Sequence, residues 1–120
     1  MKAIRLLTLL TYCLLPLYTL CGSTTDTLQL RKHALALTAT EKARNHHNLQ
    51  ELNRAADYIK AEFSRLEGLV TEQVYSVNGA DYRNIIFSTG PAGAPLLVIG
   101  AHYDVCGEQP GADDNASGVA

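Results

Sequence analysis

The chain has 120 residues, with ten Lys and Arg against twelve Asp and Glu and a formal net charge of −2. No basic patch or stripe stands out, which excludes the electrostatic footprint of a nucleic-acid binder. Of the three cysteines, Cys13 and Cys21 lie in and just after an apolar N-terminal run and Cys106 lies far downstream, so no internal disulfide framework can be drawn.

Lys2 and Arg5 precede a run, Leu6 to Leu20, that is nearly all apolar and is broken only by Thr8, Thr11, Pro16 and Thr19. This is a secretory signal pattern. The run is short for a membrane span, which needs about 20 residues. Cys21 directly after it fits a bacterial lipoprotein signal over 1–21, with Cys21 acylated as the first mature residue. Leu20 and Tyr18 depart from the small residues such a site favours. Simple cleavage near Gly22 or Ser23 is the second reading, and an uncleaved anchor the third. The expected location is outside the cytoplasm: periplasmic, secreted, or attached to the membrane by lipid on Cys21. Without Lys2 and Arg5 the remainder carries eight basic residues and a net charge of about −4.

Residues 22–38 read as a tether or irregular lead-in, with room for a short helical turn around Leu30 to Leu37. The organised part is 39–120. Thr38 with Glu41 fits a capping box, and Asn48 with Glu51 a second one. These predict a short helix to about Asn45, a break at His46-His47, and a longer helix from Leu49 to about Leu66. Leu49, Leu52, Ala56, Ile59, Phe63 and Leu66 recur at steps of three and four and mark one buried stripe. Gly68 stands where a left-handed C-cap belongs. His46 and His47 are adjacent, so they point in different directions and are expected in solvent rather than on a metal. Leu69 to Val77 and Tyr82 to Thr89 read as strands of an antiparallel hairpin about the turn Asn78-Gly79-Ala80-Asp81. After a loop from Gly90 to Pro95, Leu96 to Ala101 lacks polar alternation and reads as a buried strand.

His102 and Asp104 end that strand. Side chains two apart on a strand share a face, so an imidazole and a carboxylate stand side by side there. Ten residues on, Asp114 lies in Gly111-Ala112-Asp113-Asp114-Asn115, a turn that enters a helix at Ser117. Imidazole and carboxylate are both good zinc ligands, and a metal-bound His commonly hands its other N–H to a carboxylate. Taken alone, His-x-Asp also fits a strand-end polar pair, and Asp113-Asp114-Asn115 a turn or helix N-cap. Cys106, beside the motif, reads as a small loop residue.

Val98-Ile99-Gly100-Ala101-His102-Tyr103-Asp104, followed by Pro110-Gly111-Ala112-Asp113-Asp114-Asn115-Ala116-Ser117-Gly118, closely resembles the di-zinc aminopeptidase family. That family contains bacterial leucyl aminopeptidases, glutamate carboxypeptidases, glutaminyl cyclases and the transferrin receptor ectodomain. The likeness in element order extends over roughly residues 40–120. It implies an α/β fold, a mixed sheet with flanking helices, of which this chain is the first part. It also implies two zinc ions, with His102 on one, Asp114 bridging both, Asp104 orienting His102, and a cis Asp114–Asn115 peptide. Asp113 matches no ligand. The activity implied is that of a zinc-dependent exopeptidase, an aminopeptidase acting on peptides with a free N-terminus. A Glu-Glu pair, a further Asp and a last His are expected beyond Ala120, so the 120 residues alone are expected to be inactive, as the N-terminal fragment of a longer enzyme. Two other readings stand beside this one. One is an acyltransferase of the glutaminyl cyclase type. The other, if 120 residues is the full length, is an inert surface lipoprotein or binding module.

Overall fold

The computed structural model describes residues 25–120. The signal pattern, Cys13 and the acylation site at Cys21 lie outside the described residues.

Helix α1, Thr27–Thr38, begins at Asp26, whose carboxylate accepts the N–H groups of Leu28 and Gln29 at 3.0 and 3.1 Å. Those are two of the four donors that a helix start leaves unpaired. Thr27–Thr38 of the lead-in is therefore a helix rather than an irregular stretch with one turn. Thr38 ends α1 instead of opening a helix, because its hydroxyl donates back to the Ala34 carbonyl at 2.8 Å. The short helix expected to Asn45 is absent, and residues 39–48 are irregular. Their polar groups bond to the main chain of a distant loop instead.

Helix α2, Leu49–Phe63, starts after Asn48, but without the expected capping box. The Asn48 carbonyl accepts the N–H groups of Glu51 and Leu52, while its side-chain amide donates to Asn45. Leu52, Ala55, Ala56 and Ile59 are buried along one stripe. The helix ends at Phe63, so Leu66 lies past it, exposed. Gly68 is not a left-handed cap. A Cβ there would stand 2.5 Å from the Phe87 ring and 2.7 Å from the Ser88 carbonyl oxygen, so the position needs a glycine for close approach.

Strands β1, Leu69–Val77, and β2, Ala80–Ser88, pair antiparallel with Leu69 opposite Ser88 and Val77 opposite Ala80. The turn is tighter than expected. Asn78 (φ 52°) and Gly79 (φ 79°) are both left-handed, the two-residue connection whose twist suits a hairpin. β2 lies against α2. Ile85 packs on the core, Phe87 meets Phe63 with ring centroids 5.4 Å apart, and Arg83 bonds Asp57 and the Asn53 carbonyl at 2.8 and 2.9 Å.

Leu96 to Ala101 departs most from expectation. It has the side chains of a buried strand but no ladder partner, since the only sheet among the described residues is the two-stranded β1–β2. Leu96, Leu97, Val98 and Ile99 are 77–89 % exposed. Apolar character marks a run as able to be buried; burial itself requires a facing surface, and among the described residues none stands against it.

The core gathers Leu37 of α1, Ala55 and Ile59 of α2 and Ala116, with Tyr58, Ile85 and Tyr103 packed around them. Tyr103 and Ala116 belong to the two segments that carry the candidate site, so the same packing that closes the core also seats the site. The architecture is a small α/β arrangement of helices on one hairpin.

Candidate metal centre

Two segments meet at the site. The first is Ala101 to Val105. Tyr103 turns inward and donates its hydroxyl to the Arg83 carbonyl, and Val105 is 5 % exposed. His102 and Asp104 turn the other way, toward solvent, with side chains 52 % and 60 % exposed. The second segment is the loop Gly111 to Ser117. Gly111 takes a left-handed φ of 63° and opens a wide turn that the Ala116 N–H closes onto the Gly111 carbonyl at 3.0 Å. The Asp114–Asn115 peptide is cis. The Asn115 side-chain oxygen accepts the Gly118 N–H at 3.1 Å and starts the short helix α3, Ser117–Val119.

The structure brings His102, Asp104 and Asp114 together. His102 Nδ1 lies 3.2 Å from both the carbonyl oxygen and Oδ1 of Asp104. Its Nε2 lies 3.1 Å from Asp114 Oδ1. A neutral imidazole has one N–H. If Nδ1–H donates to Asp104, the Nε2 lone pair points straight at a carboxylate oxygen. Two acceptors at 3.1 Å are stable only with a positive centre between them, a proton or a metal ion. Two ligands of one tetrahedral zinc, bonded at about 2.0–2.2 Å, stand about 3.3–3.6 Å apart, slightly wider than this gap. The donor types and their spacing therefore fit zinc. The number of donors does not complete a site. Among the described residues no three His, Cys, Asp or Glu side chains form a metal-binding group, and zinc sites use three or four protein ligands. Asp113, Cys106, His46 and His47 are exposed and stand outside the cluster.

The sequence reading missed Arg44. Its guanidinium is fully buried. Nε donates to the Tyr103 carbonyl at 2.7 Å, Nη1 to the carbonyls of Leu37 (2.6 Å) and Pro110, and Nη2 to that of Gly111 at 2.8 Å. Asn45 adds a bond from its side-chain amide to the Gly107 carbonyl. This is why 39–48 is not helical: its side chains satisfy the main chain of the motif loop. Burial holds the Arg44 guanidinium below its ordinary pKa, and the carboxylates of Asp104 and Asp114 pull the other way. Burial also raises the Tyr103 hydroxyl, with Arg83 opposing. The signal that would have found Arg44 is indirect. A folded-in loop holding Gly107, Pro110 and Gly111 leaves carbonyls that need donors, and Arg carries five N–H groups in a fixed fork.

Asp104→Asn tests the orienting contact. An amide retains the shape but loses the charge that raises ligand basicity. In the full-length protein, zinc affinity measured against a chelator is expected to fall about 10- to 100-fold.

Residues 84–120, which contain the whole cluster, match Peptidase family M28. An uncharacterized protein of Escherichia coli K12, YfbL, is 45 % identical over 100 residues, which cover 77 % of this chain and 31 % of YfbL. The chain thus spans about a third of the length of that curated relative. No solved structure matches. The His102–Asp104 pair and the Asp114 loop both lie inside the matched segment, so it is over the candidate site that the chain is similar to peptidase family M28.

Proposed function

We propose that the protein is a zinc-dependent exopeptidase, specifically an aminopeptidase. The observation that carries this is the double engagement of His102, Nδ1 on Asp104 and Nε2 facing Asp114 Oδ1 at 3.1 Å. His102 and Asp114 would hold metal and Asp104 would fix the imidazole. The Asp114 side chain is 58 % exposed, leaving its carboxylate room to reach a second ion. Bound zinc polarises a carbonyl and yields hydroxide near neutral pH. The substrates are peptides with a free N-terminus, reached outside the cytoplasm, with lipid on Cys21 as the membrane attachment. The zinc exopeptidase fold, with a larger mixed sheet around the Leu96 run, belongs to the same reading.

The test is an assay of the zinc-loaded full-length protein on aminoacyl-nitroanilides. Turnover that a chelator removes and zinc restores is expected. No turnover there, with zinc-dependent cyclisation of an N-terminal glutaminyl peptide instead, would replace the peptidase by an acyltransferase.

A further inference from the structure

We infer that Arg44 is a positioning residue of the metal centre: its buried guanidinium spans the segments carrying His102 and Asp114 and sets the gap between them before any cation arrives. This rests on the zinc-centre reading above. Tyr103, whose carbonyl takes the Arg44 Nε–H, lies between His102 and Asp104. Pro110 and Gly111, whose carbonyls take the Nη protons, lead directly into the Asp114 turn. The Leu37 carbonyl ties the same group to the end of α1 and so to the core. The main chain takes part as well, since the Arg44 carbonyl accepts the Val105 N–H at 3.1 Å. One residue therefore grips the first segment twice, and the second at Gly111 and at Pro110 just before it.

Filling space does not require this arrangement. A buried guanidinium is costly to desolvate, and an apolar side chain of similar volume packs at least as favourably. A planar fork does what an apolar side chain cannot, fixing the relative direction of several acceptors at once. Its charge also faces both carboxylates of the cluster, Asp104 and Asp114, without contacting either as an ion pair. The two limbs are thus held at the spacing a shared ion needs, with both carboxylate side chains left open to solvent.

The test uses the full-length protein and zinc itself. Arg44→Lys keeps the charge but replaces the fork by a point donor. Chelator-buffered zinc titration is expected to show affinity lowered about 10- to 100-fold, the range for residues that orient ligands. The visible spectrum of the cobalt-loaded variant should also differ from wild type. Leu52→Ala, a core truncation outside the Arg44 contacts, should lose stability with zinc affinity unchanged. A folded Arg44→Lys that binds zinc like wild type overturns the inference. A wild-type protein that takes up no zinc overturns the zinc-centre reading, and the inference with it. A measurement on zinc-free wild type decides the matter should Arg44→Lys fail to fold. The Val105 and Ala116 amides are expected to be protected from hydrogen exchange without metal. If both exchange freely until zinc is added, the ion builds the site and Arg44 does not.

Discussion

His102→Ala in the full-length protein is expected to reduce aminoacyl-nitroanilide hydrolysis by more than about 100-fold, the upper end of what losing an outer partner of a metal ligand costs. Asp114→Ala should do the same. The geometry gives the reason. His102 Nε2 and Asp114 Oδ1 face each other at 3.1 Å, and among the described residues no other His, Cys, Asp or Glu completes a group with them. Both side chains are more than half exposed, so the loss should come with little change in folding stability. Surface substitutions away from packing features usually stay within about 0.5 kcal/mol. Zinc content by atomic absorption and the urea midpoint separate the two effects. Full activity in His102→Ala would remove the metal-centre reading.

Gly111→Ala is expected to do the opposite, damaging the fold first and the site through it. Gly111 has φ 63°, a region that costs a residue with a Cβ about 1–2 kcal/mol. The added carbon would also collide with the Val105 side chain and stand 2.5 Å from the Asp114 carbonyl oxygen. Overpacking of this kind costs about 1–3 kcal/mol, so the denaturant midpoint should report a total of about 2–5 kcal/mol. Because the Asp114 main chain must move to relieve the clash, zinc affinity should fall in the molecules that remain folded. A variant as stable as wild type would show that the turn is softer than its contacts indicate.

What could be read from the sequence was set by range. The Asn78-Gly79 hairpin, the α2 stripe and the shared face of His102 and Asp104 are local matters of backbone preference and periodicity. They were legible, except that the turn proved shorter and α2 ended three residues sooner. The meeting of Asp114 with His102 came from the family resemblance, since spacing alone favoured a turn or N-cap. Failures arose where a polar residue had a distant partner. Thr38 and Asn48 both carry the lettering of a cap, yet one bonds back to Ala34 and the other to Asn45. Asp26, the residue that does cap α1, sits in a stretch that composition marks as a tether. Arg44 and Asn45 look like ordinary polar residues at the end of a helix. The carbonyls their side chains donate to lie 59 to 67 positions away, apart from that of Leu37, which lies seven away. The Leu96 run shows the limit from the other side, since hydrophobic lettering specifies a demand for cover without saying what supplies it.

The Arg44 anchorage has a consequence for how the sequence can drift. All four of its acceptors are peptide oxygens, from Leu37, Tyr103, Pro110 and Gly111. A peptide oxygen is present whatever side chain evolution places there. The tether therefore puts no restriction of its own on the identity of those four neighbours, and concentrates it in a single codon.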